Sequence, residues 1–304
     1  MDIPPDISVV IPCKNGGDYL LTQLEHLSQQ INPPSFEVII SDNGSTDGAI
    51  DKVFTTYSDK IRIKKVDSSN NTGSSHARNI GVHHSQGKYI AFCDADDYVD
   101  PCWLHEIYEA FKLLNVDIVA GGLIHTGLNS TEVIEAYGIN ITYSPAFPRF
   151  TSSENLAYFA GFLPSVAGCN FAVRKELYLS VGGMSSEYPH GSEETDFIWR
   201  AQLAGGQIAS ANYALVNYRL RSSFRKIFNQ QFNYQKTRVK LWLQYKDRGM
   251  TGPSIKYSLI SIISELPQLR KPEKRLRSAY ILGGNCGAIY GSIFYRIITP
   301  LFKK

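Results

Sequence analysis

Apolar positions in the first 120 residues follow two rhythms. Short uninterrupted runs, "ISVVIPC", "FEVIIS", "IRIKKV" and "KYIAFC", alternate with longer stretches in which Leu, Ile, Val or Ala recur every three to four residues, as in "DYLLTQLEHLSQQ", the segment after "STDG", and "SSHARNIGVHHS". The short runs are too brief for helices, and their lack of polar alternation marks strands buried on both faces. The longer stretches read as amphipathic helices. Alternation of this kind predicts an α/β domain with a mainly parallel sheet flanked by helices. A helix "WLHEIYEAFKLLN" and a strand "VDIVAGG" follow, and then Thr126 to Phe150 reads as irregular. The second half predicts a strand "GCNFAVR", a short helix after Lys175, a loop "GGMSSEYPHG", and a helix "SEETDFIWRAQLAGG". For that helix Ser192 is the expected N-cap and Gly205 the C-terminal stop.

From Phe224 the pattern turns helical and basic, "FRKIFNQQFNYQKTRVKLWLQYKDRG". Charge sharpens this boundary. From Arg219 to Lys304 there are 18 Lys and Arg against 3 Asp and Glu, net +15, while the rest carries 13 against 25, net −12. The organisation expected is an α/β domain over 1–218, in two halves (1–100 and 101–218), followed by a basic amphipathic helical extension, 219–304. Such asymmetry calls for an anionic partner, and basic residues interleaved with Leu, Ile, Phe and Trp suit an anionic membrane surface rather than nucleic acid. The alternatives are a solvated helical face, or a dimerisation or partner-docking element. The closing apolar segment "SAYILGGNCGAIYGSIFYRIITPLFKK" is long enough to span a bilayer, but its four glycines and basic flanks favour a packed or interfacial helix. The opening "MDIPPDIS" has no apolar leader, so the expected location is cytoplasmic, peripheral to the inner face of the plasma membrane. Five cysteines without a C-x-x-C pair argue against a disulfide framework or zinc knuckle.

Three predicted strands end in polar residues, "VVIPCKNGG", "VIISDNGSTDG" and "IAFCDADD". In an open α/β sheet these ends are where ligands bind. The last of them crowds Asp94, Asp96, Asp97 and Asp100 together. Two carboxylates ~4 Å apart repel by roughly 4 kcal/mol at an effective dielectric near 20, so the cluster needs a cation, water or protons. Tyr98 stands where an EF-hand would need an oxygen ligand, and neither a P-loop nor a dinucleotide fingerprint is present.

Taken together, "SVVIPCKNGGDYL", "EVIISDNGSTDG", "NTGSSHARNIGVHHSQGKYIAFCDADDYVDPCWL" and "GSEETDFIWR" resemble a family 2 glycosyltransferase of the GT-A fold over Ile7 to Arg219. The resemblance implies a nucleotide-diphosphate sugar donor, with a UDP-sugar the first expectation, an Mn²⁺ or Mg²⁺ ion, and inversion at the anomeric carbon. It implies a hydroxyl of a glycan or lipid-linked acceptor in cell-surface polysaccharide or glycoconjugate synthesis. By the same resemblance Pro12 and Asn15 line the nucleotide site, Asp42 bonds the base, and Arg78 approaches the base or diphosphate. Asp94 and Asp96 of the D-x-D pattern meet the ribose and the metal.

The family's general base lies in an E-D-x-D box, which here reads Glu193, Glu194, Thr195, Asp196. Glu194 therefore holds the usual aspartate position, with a reach longer by about 1.5 Å. Either Glu194 or Asp196 is the base, and Glu194 is the first choice. A second departure lies at "YRLRSSF", where Arg221 stands in place of a histidine that often reaches the metal. Arg219 and Arg221 are then candidate diphosphate clamps, since a guanidinium binds phosphate bidentately and cannot ligate a cation. A sugar-phosphate nucleotidyltransferase and a non-catalytic nucleotide-sugar-binding partner remain as alternatives.

Overall fold

A computed structural model describes residues 3–140 and 148–299. The first half of the sheet domain alternates as expected: β1 (Ile7–Cys13), α1 (Gly17–Ser28), β2 (Phe36–Asp42), α2 (Ala49–Tyr57), β3 (Ile63–Asp67), α3 (Ser74–His83) and β4 (Tyr89–Phe92). Next come a two-residue strand β5 (Tyr98–Val99), α4 (Trp103–Leu114), β6 (Ile118–Ile124), α5 (Thr131–Tyr137) and β7 (Phe150–Ser152). The second half continues through β8 (Phe171–Arg174), α6 (Lys175–Ser180), α7 (Glu193–Leu203) and β9 (Ile208–Asn217). Three helices close the described chain: α8 (Phe224–Tyr245), α9 (Ile255–Glu265) and α10 (Arg275–Ile293).

All nine strands form one sheet in the order β3-β2-β1-β4-β8-β6-β9-β5, with β7 also on β9. The four strands from β3 to β4 run parallel, so their carboxyl ends open on one edge. β8 runs antiparallel between β4 and β6. Both faces are covered, which is why the strands read as unbroken apolar runs. Along β1, Ile7, Val9 and Ile11 enter a core with α1, α2 and α4, while Val10 enters the opposite core with α3, α6 and α7. Each fully buried Leu or Ile stabilises by about 1.5–3 kcal/mol, so the Leu20, Leu24 and Leu27 stripe of α1 suffices to hold that helix on the sheet.

The stretch read as irregular, 126–150, contains α5, where Ser130 accepts from the Val133 amide and Gly138 ends the helix in a left-handed conformation. At seven residues α5 is too short to show a helical period. The remainder of that stretch, 141–147, lies outside the described residues. Ser192 does stand at the α7 N-cap, but with φ 72° and no capping hydrogen bond; its hydroxyl lies 3.2 Å from that of Thr237 on α8. Gly205 ends α7 at φ 98°, as expected.

The C-terminal helices fold back onto the sheet domain. Trp199 of α7 and Tyr188 share a buried cluster with Leu241, Tyr245 and Met250. α8 and α10 approach along Gly283, Gly287 and Gly291. A methyl group at Gly283 or Gly287 would fall on the Phe228 or Phe232 carbonyl, respectively. The glycines that weaken the last apolar segment as a helix are thus what lets two backbones touch. Among the described residues no helix is long and apolar enough to cross a membrane. All five cysteines are free thiols.

Candidate active site

Residues from four strand ends and one helix start meet at the open edge of the sheet. Pro12, near the end of β1, lies in register with Ser41. Asn15, at φ 54°, turns its carboxamide to accept from the Thr46 amide at 2.8 Å, while its own amide donates to Ser45 Oγ at 3.0 Å. Asp42, at the end of β2, accepts from the Ser45 amide at 2.8 Å and pairs with Lys65 at 3.1 Å. Burial pushes its carboxyl up, but the Ser45 bonds and Lys65 outweigh that and hold it below the usual carboxylate range. Asn43 then ties this turn to the loop after β3 through the Ser68 and Asn71 carbonyls.

The centre is Arg78, a helix α3 residue only 4% exposed. Its Nη2 donates to Asp94 Oδ1 at 2.7 Å and its Nη1 lies 3.6 Å from Glu193 Oε1, which also accepts from Ser74 Oγ at 2.8 Å. One buried guanidinium therefore joins the D-x-D loop to the first turn of α7. Its pKa is raised despite desolvation, because Asp94 and Glu193 face it. Arg78 Nε, Glu193 Oε2 and Asp97 Oδ2 are buried without hydrogen-bond partners among the described residues. Native interiors rarely leave such atoms unpaired.

Beyond β4, the carboxylates part company. Asp94 and Asp96 keep side chains about one-third open, at 30% and 32%. Asp97 is buried and accepts from the Arg219 amide at 2.7 Å; burial and then Asp94 push its carboxyl up to about 8. An oxygen each of Asp94 and Asp97 lies within 4.8 Å of the other and of the Cys169 sulfur. Asp100 turns away to accept from the Cys102 amide before α4. Arg221 Nη1 sits 2.9 Å from Asp96 Oδ2. Arg219 donates from Nε to the Asp96 carbonyl at 3.0 Å and lies 4.2 Å above the Tyr19 ring.

Glu194 and Asp196 occupy opposite situations on α7. Asp196 is 1% exposed and spends both oxygens: Oδ2 on Arg200 at 2.8 Å, Oδ1 on Tyr245 at 2.9 Å and Gln244 at 3.0 Å. Glu194 is half-buried, its side chain stacked along Gly168. Desolvation and the adjoining Glu193 push its carboxyl upward, with Asp94 adding to the shift and Arg78 opposing it. A carboxylate held high and free of strong partners can take a proton near neutral pH.

A family model described as "Glycosyl transferase family 2" matches residues 8–182. The chain belongs to glycosyltransferase family 2. Over 245 residues, 79% of this chain and 75% of the relative, this family member is 28% identical to the glycosyltransferase AglE of Haloferax volcanii. In fold it is similar to the mannosyltransferase PcManGT from Pyrobaculum calidifontis, solved with GDP-Man and Mn²⁺: TM-score 0.62, 17% identity, 95% of this chain and 75% of that one. It is also similar to TarS 1–349 of S. aureus, solved with UDP-GlcNAc: TM-score 0.59, 16% identity, 96% of this chain and 91% of that one. The fold is of the GT-A type, and the enzyme is a glycosyltransferase, which displaces the nucleotidyltransferase and non-catalytic readings. Several residues at the site escaped the sequence reading. Cys169 and the α8 residues Gln244 and Tyr245 stand in no motif and arrive only through folding, while Tyr19 and Ser74 lie inside the quoted motifs but carried no assigned role. Asp97 was legible as a fourth acid in its run but not as the buried one.

Proposed function

We propose that this glycosyltransferase moves a sugar, with inversion, from a nucleotide-diphosphate donor to a hydroxyl of a glycan or lipid-linked acceptor, with the help of a divalent ion. The observation that carries the proposal is the buried Arg78, which ties the D-x-D loop to the acidic first turn of α7. The donor set fits Mg²⁺ or Mn²⁺: Asp94 and Asp96 present hard carboxylate oxygens from partly open side chains, whereas the nearby Cys169 sulfur is soft and buried. When bound, such an ion supplies charge neutralisation for the departing diphosphate.

The chain's own residues do the rest. Asp42, kept ionised by Ser45 and Lys65, accepts hydrogen bonds from the base, with Pro12 and Asn15 shaping that pocket. Arg219 and Arg221, both already on the Asp96 loop, offer guanidinium groups to the diphosphate. Glu194 takes the proton from the acceptor hydroxyl, and Glu193 and Arg78 fix its setting. Asp196 is fully engaged in holding α7 to α8, so its role is positioning. A thermal-shift panel of nucleotide sugars with Mn²⁺ tests this. A matching donor at about 100 times its Kd should stabilise the protein by about 2.7 kcal/mol, and Asp96→Asn or excess EDTA should cancel most of the shift and the turnover. Full activity in EDTA, or unchanged turnover in Asp96→Asn, would remove the metal role.

A further inference from the structure

Helix α9 is built inside out. A helix packed on a protein normally buries its apolar stripe and shows its polar face to water. Here the face toward α10 is polar: Ser258 is buried, Ser261 Oγ accepts from Asn285 Nδ2 at 3.1 Å, and Glu265 accepts from Ser278 Oγ at 2.6 Å. The outward side carries Tyr257, Leu259, Ile260 and Ile263, with Leu266 just beyond, each between 49% and 69% exposed. Isolated exposed apolar residues are ordinary, whereas five along ten residues make a patch. Because residue 261 meets 285 and residue 265 meets 278, the two helices run antiparallel. The exposed Ile293 at the end of α10 therefore lies toward the start of α9, while Tyr290 packs against Phe232 of α8.

The rim of this patch is mostly basic. Lys256 lies at the start of α9, and Arg270, Lys271, Lys274 and Arg275 follow its end, all exposed. Arg277, also exposed, donates from Nη1 to the Ala136 carbonyl. Glu273 and Glu265 line one cleft with Lys274, Arg277 and the α5 acids Glu132 and Glu135, and Lys256, Arg270, Lys271 and Arg275 lie outside it.

We propose that the outer face of α9 is a docking surface for an anionic lipid bilayer, on which the helix lies parallel to the membrane. At eleven residues and about 1.5 Å per residue, α9 is about 16 Å long, half of a hydrocarbon core of about 30 Å, so it lies in the interface and does not span. An apolar stripe flanked by cations is what the headgroup boundary of an anionic leaflet complements, since side chains enter the acyl region while the cations meet lipid phosphates. The acidic sheet domain, net −12 over 1–218, is repelled by the same surface and is held on its far side. The proposal does not rest on the donor or metal chemistry.

Co-sedimentation of the full chain with phosphatidylcholine vesicles, with and without phosphatidylglycerol, tests it. Binding should require phosphatidylglycerol and weaken with salt. It should fall at least tenfold in Ile260→Ser/Ile263→Ser and in Lys271→Gln/Lys274→Gln/Arg275→Gln, both of which change exposed positions. Unchanged thermal melting confirms that these variants fold. In Tyr257→Trp, vesicles should shift the indole emission to the blue and brominated lipid should quench it. Absence of vesicle binding, or binding that the Ile260/Ile263 pair leaves intact, overturns the proposal. So does a concentration-dependent dimer lost in that same pair, which would assign the face to a second copy of this chain.

Discussion

At the scale of single residues, the site is a contest between acids for one buried cation. Arg78 serves Asp94 and Glu193, and Glu194 is left beside them with a carboxyl pushed up by burial and by its neighbours. Glu194→Gln keeps size and removes basicity, so turnover should drop 10²-fold or more while donor affinity changes little. The sign of the pH dependence follows from the direction of the shift. A base acts only when deprotonated, so with its pKa raised the wild-type rate should climb as pH rises through the neutral range and then level, and the limb should vanish in Glu194→Gln. A rate already flat from pH 5 upward would contradict this assignment. Asp196→Asn separates the two candidates. Its buried pair with Arg200 and its bonds to Tyr245 and Gln244 hold α7, so the loss should appear as about 2–3 kcal/mol of stability, less than for a fully buried pair because the Arg200 side chain is 26% exposed. An Asp196→Asn protein that melts like wild type but is inactive, beside an active Glu194→Gln, would move the base to Asp196.

At the scale of elements, α10 shows how the same residue type can have opposite effects three positions apart. Gly287 faces α8 so closely that a methyl would fall on the Phe232 carbonyl, whereas a methyl at Gly284 would meet only the end of the Gln235 side chain at 3.5 Å. Backbone cannot yield as a flexible side chain can. Gly287→Ala should therefore destabilise, toward the upper part of the ~1–3 kcal/mol typical of overpacking. Gly284→Ala should be neutral or stabilise by up to about 1 kcal/mol, the helix-propensity difference between the two residues. Urea midpoints of the two variants, measured side by side, should move in opposite directions or at least differ by more than 1 kcal/mol. Equal shifts would show that α8 and α10 are not in backbone contact.

At the scale of the whole molecule, the charge boundary at Tyr218 is crossed by packing. The indole of Trp199 lies edge-on to Tyr245 at 5.0 Å between ring centroids, and Tyr188 OH donates to Gln244 at 2.6 Å. The basic helices are thus bound into the support of α7, whose first turn carries Glu193 and Glu194. A chain ended at Arg221 would uncover the Tyr188 and Trp199 cluster and leave Asp196 with Arg200 alone. Such a truncation should express as an aggregating or poorly melting protein, and a cooperative transition at the full-chain temperature would show that the sheet domain stands without its tail.

Read along the chain, the sequence determined the α/β alternation, because strands buried on both faces and amphipathic helices leave distinct periods. It also determined which strand ends are polar, and so which edge collects Asp42, Asp94 and Asp96. It did not reveal β5, β7 or α5, each too short to carry a period, nor β9, whose Ala, Ser and Asn positions interrupt the apolar run, nor which acid of a crowded run would be buried. Those outcomes depend on long-range contacts. The Arg219 amide reaches Asp97 across 122 positions and Ser74 reaches Glu193 across 119. The sequence showed Glu194 and Asp196 as two acids in one helical turn, with Arg200 four residues beyond Asp196 in the same helix; only the packing of α8 against α7 added Gln244 and Tyr245 to Asp196 and none of them to Glu194. Likewise the alternation of serine and isoleucine in α9 reads as an ordinary amphipathic helix, and only the tertiary fold decides that its serines face inward. The periodicity of a segment fixes which residues share a face, while the side on which the rest of the chain lies is set by contacts that no local pattern contains.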